Sequence, residues 1–166
     1  MKITKRVLDA LNAQINREYY AAYYYLSMSF HCLAEGLPGF AEWMKTHERE
    51  EREHAERLTH HILQRTERVE LASIDAPPPQ HENFLDMFES IRELETSITA
   101  SVHNLMMLAC EQRDFPVQSL MRWFIDEQLE EESELENIIS QIHFVKGNPS
   151  AIYLMDRELA AKAKNT

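Results

Sequence analysis

Glu51 and His54 stand three residues apart in the acidic segment 48–56. In a helix, positions i and i+3 lie on one face, so these two side chains project the same way. The other members of that stripe, at steps of three or four, include Phe40, Met44, His47, Leu58 and Ile62. A carboxylate and an imidazole buried there without partners cost several kcal/mol, and a metal ion is the commonest partner for such a pair.

Three other helical stretches carry the same exception near mid-length. The side chains that interrupt their apolar stripes are Glu18 in the first, Glu95 in the third, and Glu127, Gln128 and Glu131 in the fourth. Helical bundles with carboxylates on facing helices hold two metal ions. Oxygen-rich ligation with one imidazole favours iron over structural zinc, which prefers Cys and His. The pattern predicts a di-iron centre in which both ferrous ions give electrons to one dioxygen.

The elements that must position these residues are helices. Helix-forming residues dominate and only 3 of 166 residues are glycine, so we predict an all-α fold. The predicted helices run from about Thr4 to Glu35, Pro38 to Arg68, Asn83 to Arg113, Pro116 to Lys146, and Ser150 to Lys162. We expect a single domain over residues 1–166, with a four-helix bundle at about 4–146 and a short C-terminal helix at about 150–162.

The connection between the second and third helices, residues 69–82, is long and contains Pro77, Pro78 and Pro79. Three prolines enforce an extended segment. A helix of about 30 residues is about 45 Å long, and an extended linker of about 14–16 residues spans about 45–50 Å. We therefore predict a crossover along the length of the bundle, which makes helices two and three parallel.

Composition narrows the classes of partner. The formal net charge of −11 argues against nucleic acid and anionic membrane surfaces and is compatible with handling cations. No apolar run approaches the roughly 20 residues that a membrane helix requires. Cys32 and Cys110 have no partner spacing, and the N-terminus leads into an amphipathic helix rather than a signal segment. These features predict a cytoplasmic protein.

The motifs resemble those of the bacterial non-haem ferritins over essentially the whole chain. The matching segments are Asn16-Arg17-Glu18-Tyr19, Glu50-Glu51-x-x-His54, Glu95, and Glu127-Gln128-x-Glu130-Glu131. The resemblance implies a ferritin-like bundle that oxidises Fe(II) with dioxygen or hydrogen peroxide. It also implies that ferric mineral is stored inside a shell of 24 like subunits.

The resemblance further implies roles for individual residues. It assigns Glu18, Glu51 and His54 to one iron, with Glu51 bridging to a second iron that Glu95 and Glu131 complete. Gln128 matches a glutamine beside the second position. A third iron site of the bacterial branch matches Glu50, Glu127, Glu130 and Glu131. Tyr25 matches a tyrosine that supplies an electron or orders a ligand, and Trp123 matches a nearby tryptophan.

Departures from related families refine these expectations. Bacterioferritins have a second Glu-x-x-His on the fourth helix, where this chain has Gln128-x-x-Glu131, so we expect the second iron position to be weaker and more exchangeable. Bacterioferritins also have a haem-binding methionine just after the second-helix glutamate; this chain has Arg52, and we expect no haem. In the animal branch of the family, two acidic residues line the threefold pore, and they align with Gln118 and Met121 here. This difference leaves a side pore through the bundle as an alternative route for iron.

Two other functions are compatible with the same residues. A di-iron oxygenase or peroxidase acting on an organic or peroxide substrate would form a small oligomer and keep two iron ions per chain. A helical shell or binding protein without oxidation activity would expose the stripe carboxylates to water. The burial of those carboxylates and the number of iron ions per particle distinguish the three functions.

Overall fold

A computed structural model of the protein describes residues 2–78 and 81–163, and within these ranges it contains five helices and no strand. The helices are α1 (Lys5–Ala34), α2 (Pro38–Gln64), α3 (Phe84–Glu111), α4 (Phe115–Phe144) and α5 (Pro149–Ala163). The predicted all-α bundle with a short fifth helix is confirmed. Pro79 and Gln80 of the predicted crossover, and Met1 and residues 164–166 of the predicted domain, lie outside the described ranges. None of the helices described is long and apolar enough to cross a bilayer.

The crossover between α2 and α3 runs along α1. Near its start, the backbone amide of Glu70 donates a hydrogen bond to Oδ1 of Asn12, over 3.0 Å. Near its end, the ring of His81 lies 6.4 Å from the rings of Tyr24 and His31. The connection therefore passes from the first third of α1 to its last third.

This path makes α2 and α3 parallel. The ring of Phe84, the first residue of α3, lies 4.7 Å from the ring of Phe40 near the start of α2. At the other end of α3, Glu111 accepts a hydrogen bond from Arg6 in the first turn of α1, over 2.9 Å. The predicted parallel pair joined by a long crossover is confirmed.

The end of α2 differs from the prediction. We expected the helix to reach Arg68, but it ends at Gln64, where Thr66 adopts a φ of 59°. The amide of Glu67 donates to the carbonyl of Ile62, and the amide of Thr66 donates to that of Leu63. This pattern is a Schellman motif, in which the residue with the left-handed backbone is usually a glycine. Because a threonine occupies the left-handed position, the sequence carried no stop signal there. The other helix boundaries agree with the prediction within two residues.

Two apolar clusters fill the ends of the bundle. The α5-side cluster includes Met28, Phe40, Met44, Phe88 and Ile139. The N-terminal cluster includes Leu11, Leu58, Val102 and Phe124. On α2, α3 and α4, polar side chains separate the residues of the two clusters, and on α1 a buried acid lies between Ile15 and Ala21 of the N-terminal cluster. We call this set the acidic layer, and it consists of Glu18, Glu51, His54, Glu95, Gln128 and Glu131.

The short helix α5 packs against α2. The approach is close at Gly39, where an added Cβ would lie 1.9 Å from the backbone oxygen of Asp156. The carboxylate of Asp156, itself buried, accepts a hydrogen bond from the backbone amide of Phe40 over 2.9 Å. Leu37 supplies no side-chain cap to α2, so an acid from α5 takes that role.

Candidate metal centre

The acidic layer is buried. Glu18 and Glu51 are 0 % exposed, Glu95 is 1 % exposed and His54 is 3 % exposed. Gln128 is buried as well, and the side chain of Glu131 is 10 % exposed. A helical shell or binding protein without oxidation activity was expected to expose these carboxylates to water, and their burial excludes that function.

Two groups of ligand atoms share one residue. Oxygen or nitrogen atoms of Glu18, Glu51 and His54 lie within 4.8 Å of one another, and oxygens of Glu51, Glu95 and Glu131 do the same. His54 faces both groups: its Nδ1 is 3.4 Å from Oε2 of Glu51, and its Nε2 is 3.6 Å from Oε1 of Glu131. Glu51 thus stands between two three-donor sets, as a carboxylate that bridges two ions would.

Several oxygen and nitrogen atoms of the layer that could ligate a metal ion have no hydrogen-bond partner. They are Oε2 of Glu18, both carboxylate oxygens of Glu51, Nδ1 of His54, Oε1 of Gln128 and Oε2 of Glu131. A buried polar atom without a partner costs about 1–3 kcal/mol, and more when it is charged. Concentrated on one small volume, these atoms fit the oxygen-rich ligand set that iron accepts.

Other side chains orient the carboxylates. The phenol of Tyr25 donates a hydrogen bond to Oε1 of Glu95 over 2.6 Å, and Nε2 of Gln128 lies 3.2 Å from its Oε2. The amide of Gln14 donates to Oε1 of Glu18 over 2.7 Å. Both oxygens of Glu95 are therefore held, whereas Glu18 keeps one oxygen free of partners. The two ion positions are unequal in the support that surrounds them.

Sequence reasoning did not single out Gln14, although it lies one turn before Glu18 on the same stripe. It is fully buried, and Ser101 on α3 donates to its Oε1 over 2.5 Å. Thr99, the other unpredicted contact, lies 3.3 Å from Nε2 of Gln128. A polar residue at i−4 from a candidate ligand was the available signal for Gln14. No comparable signal exists for partners across helices.

The pKa values of the acidic layer are shifted towards the uncharged forms of its side chains. Burial raises the pKa of Glu18 to about 7. Burial and the charges of Glu95 and Glu18 raise the pKa of Glu131 to about 9, and burial with neighbouring acids raises the pKa of Glu51 well above its usual range. Burial also lowers the pKa of His54 to about 4, which keeps its imidazole neutral and able to ligate a metal. A bound cation would displace the retained protons.

Aromatic rings enclose the layer on two sides. The ring of Trp123 meets the ring of His54 edge-on at 5.4 Å, and the guanidinium of Arg57 lies 3.7 Å above the Trp123 ring. On the α5 side, the ring of Tyr25 stacks on His47 at 5.2 Å. Burial, and then the nearby charge of Glu95, raise the pKa of Tyr25 well above its usual value, so the phenol keeps its proton.

The residues predicted for a third iron do not form a comparable donor set. Glu130 is exposed, Glu127 is partly buried, and the side chain of Glu50 is 44 % exposed. Among the described residues, only the two groups that share Glu51 bring three donors within 4.8 Å. Glu50 and Glu127 do line one open cavity, and that cavity reaches His54.

Comparisons with known proteins agree with this geometry. The sequence profile of the ferritin-like domain family, named Ferritin, matches residues 8–145. The chain is 33% identical over 160 residues to the bacterial non-heme ferritin of Staphylococcus aureus, covering 96% of each protein. It is 35% identical over 163 residues to that of Staphylococcus epidermidis, covering 98% of each. The structure matches an open pore ferritin of the archaeon Archaeoglobus fulgidus with a TM-score of 0.93, at 34% identity, over 95% of this chain and 98% of that one.

Proposed function

The chain belongs to the ferritin family, whose members oxidise and store iron, and we propose that the acidic layer is where this ferritin oxidises Fe(II) to Fe(III). The observation that carries the proposal is the pair of three-donor groups sharing Glu51, with partnerless donor atoms in both. Two ferrous substrates held this close together can each give one electron to the same dioxygen or hydrogen peroxide molecule.

The geometry supports specific roles for five residues. Glu18 and His54 would hold the first iron, and Glu95 and Glu131 the second, with Glu51 between them. The carboxylates favour Fe(III) over Fe(II) because harder, more highly charged cations gain more from anionic oxygen ligands. Burial strengthens this preference, since charges attract more strongly where water is excluded.

Two further residues support the second position. Gln128 holds Glu95 through its Nε2, and its own Oε1 has no hydrogen-bond partner. Tyr25 holds the other oxygen of Glu95 and keeps that carboxylate in one orientation. The amide of Gln128 is a weaker ligand than the carboxylate that the glutamate of a second Glu-x-x-His would provide at this position, so we expect the second iron to leave more readily. That inequality suits iron that passes through on its way to storage.

We also propose how the protein assembles. As a ferritin the chain forms a homo-oligomer, and we propose a shell of 24 subunits with Fe(III) mineral inside. Large apolar side chains that one subunit leaves in water support burial between copies; they include Tyr23, Phe30, Phe115 and Phe144. A single domain over residues 1–166, a cytoplasmic location and a third iron at Glu50, Glu127, Glu130 and Glu131 stay proposals of the same kind.

Oxidation kinetics test the site. Metal-free protein is mixed with ferrous salt under air, and the ferric product is followed by absorbance. We expect Glu51→Ala and His54→Ala to slow the initial rate by at least about 10-fold, the lower end of the effect of disturbing a metal's ligand environment. Glu53→Gln is the matched control, because Glu53 is an exposed acid on the same helix. Wild-type rates in both alanine variants would remove the acidic layer from the reaction.

A further inference from the structure

Two histidines lie close together where the crossover meets the end of α1. His31 is in the last turn of α1, and His81 belongs to the crossover just before α3. Their ring centroids are 6.4 Å apart. Along α1, His31 lies about 20 Å beyond Glu18, at about 1.5 Å per residue. The pair is therefore separate from the acidic layer, and the oxidation site described above uses neither histidine.

His81 is the buried member of the pair. Its side chain is 4 % exposed, and its Nε2 has no hydrogen-bond partner among the residues that the structure describes. The ring of Tyr24 lies against it, with the two centroids 6.4 Å apart. Buried polar atoms of native proteins nearly always have a partner. The exception at His81 therefore points to a ligand that completes the contacts of this nitrogen.

Asp86 accounts for the other nitrogen of the ring. Its Oδ2 lies 3.7 Å from Nδ1 of His81 and accepts the backbone amide of Glu82 over 3.0 Å. A carboxylate beside Nδ1 favours the tautomer that has its proton there and its lone pair on Nε2. Metal-binding histidines are oriented by carboxylates in this way. Burial lowers the pKa of His81, which keeps the ring neutral near pH 7 although Asp86 opposes the shift.

His31 brings a second imidazole within reach. Its ring is nearly perpendicular to that of His81, at 80°, and the residue is partly exposed. Two imidazoles on one tetrahedral ion have ring centroids about 5 Å apart, since each metal–nitrogen distance is about 2.0–2.1 Å. A movement of the His31 ring by about 1–1.5 Å, through rotation of its side chain, gives that separation. The backbone does not have to move.

The donor atoms of this pair differ from those of the acidic layer. The layer offers carboxylate oxygens and one imidazole, which suits iron. Two imidazoles with a carboxylate behind one of them suit cations that prefer nitrogen ligands, of which Zn²⁺ is one. The two places in the subunit should therefore select different ions.

We propose that Nε2 of His81 and the imidazole of His31 bind a divalent transition-metal cation such as Zn²⁺. Asp86 orients His81 from the other side of its ring, and water fills the remaining positions of the ion. The ion would connect the crossover to the end of α1. This proposal does not rest on the proposed function, because neither histidine belongs to the oxidation site.

Zinc counts test the two ligands. Zn²⁺ bound to metal-free, full-length protein is measured by equilibrium dialysis. We expect His31→Phe and His81→Phe each to bind one ion fewer per chain than the wild type, because phenylalanine keeps a ring but has no nitrogen. His103→Phe is the matched control, since His103 is an exposed histidine on α3 outside the pair, and it should bind as many ions as the wild type.

Asp86→Asn tests the orientation of His81. Asparagine keeps an oxygen for the amide of Glu82 but loses the charge beside Nδ1. We expect Zn²⁺ to bind at the pair about 10–100-fold more weakly, as measured by dialysis over a range of free zinc. Unchanged affinity would overturn the proposed coordination through Nε2.

Anomalous diffraction from wild-type crystals soaked in Zn²⁺ gives the position directly, and it decides the matter if a phenylalanine variant does not fold. A peak about 2.0–2.1 Å from Nε2 of His81 and from a ring nitrogen of His31 supports the proposal. A peak at neither or only one histidine overturns it, as does an ion lost from all three phenylalanine variants. Iron oxidation by His81→Phe, measured in parallel, should match the wild type, so the failure of either proposal is seen separately.

Discussion

The interior of the bundle is built in two contrasting ways. The α5-side and N-terminal clusters are built of apolar and aromatic side chains, and the polar groups of Tyr25 and Trp43 have hydrogen-bond partners in the protein. The acidic layer between them has four carboxylates, one imidazole and one amide, with several donor atoms that the protein leaves without partners. Apolar burial stabilises a fold by roughly 25 cal/mol per Å² removed from water, whereas buried unpaired acids oppose folding.

The difference separates the source of stability from the source of function. The two clusters account for the fold with or without metal, and they enclose the layer from both ends. The layer lowers the stability of the metal-free protein but presents ligands that are already assembled. A preassembled site binds ions without first ordering its side chains. Changes in the clusters and in the layer should therefore respond to metal in opposite ways.

The largest expected effect belongs to the apolar side. Phe88 is fully buried in the α5-side cluster, so Phe88→Ala should lower the free energy of unfolding by about 3–5 kcal/mol. The loss should be the same with and without Zn²⁺, as measured by thermal unfolding at one protein concentration. Phe88→Leu, which keeps most of the volume, is the control and should cost less than about 1.5 kcal/mol. A loss of stability that disappears when metal is added would contradict the separation of stability, in the clusters, from metal binding, in the layer.

The opposite behaviour is expected in the layer. Because the folded-state pKa of Glu51 is raised, the wild type loses stability as pH rises from about 4.5, the unfolded value, towards the folded value. Glu51→Gln removes this loss. Without metal it should match the wild type near pH 4.5 and exceed it by about 1–4 kcal/mol at pH 8.

Bound metal should reverse the relative stability of the wild type and Glu51→Gln. With saturating Zn²⁺ at pH 8, the wild type should be the more stable protein, because ions bound only to the folded state add to its stability. Comparing the two proteins at each pH cancels the separate effect of His54, whose lowered pKa removes stability as pH falls below about 6.5. The exposed Glu53→Gln should change stability by less than about 0.5 kcal/mol throughout. A Glu51→Gln protein less stable than wild type without metal would refute the account.

A smaller effect is expected from the residues that orient the ligands. Gln14→Leu places an apolar side chain, like those of the clusters, beside the acidic layer and releases Oε1 of Glu18. We expect the first ion to bind about 10–100-fold more weakly, followed by anaerobic Co²⁺ titration. Thr99→Val is the mirror control, since Thr99 contacts Gln128 and should affect the second ion instead. Equal weakening of both ions in either variant would show that the layer responds as one unit.

The positions of the ligands in the fold were predictable from the sequence. An acid in the middle of an apolar helical stripe is conspicuous, and four such stripes with one long connection leave few arrangements. Glu18, Glu51, His54, Glu95 and Glu131 therefore fell on the correct faces. Their ligation of iron stays a prediction, because spacing within one helix fixes direction and not the distance to another helix.

The features that sequence reasoning missed depend on contacts between elements. Ser101 supports Gln14 from another helix, and no local pattern marks that pair. The end of α2 at Thr66 depends on a left-handed backbone at a residue type that seldom adopts one. His47 was counted as a stripe residue, and only its surroundings show that one nitrogen has no partner.

Asp156 provides the most sensitive comparison, because it is a buried acid outside the layer. It is 1 % exposed, like the acids of the layer, but its Oδ1 accepts the amide of Phe40 at the start of α2. The N-terminus of a helix carries partial positive charge and stabilises an anion without a metal ion. Asp156→Asn keeps the shape and removes the charge, so it should lower stability by about 0.3–1 kcal/mol. Unlike Glu51→Gln at pH 8, the variant should be less stable than wild type both without metal and with saturating Zn²⁺, by the same amount in thermal unfolding. A stability difference at Asp156 that depends on metal would mean that the start of α2 and the acidic layer are coupled, so that the ions also affect a buried acid outside the layer.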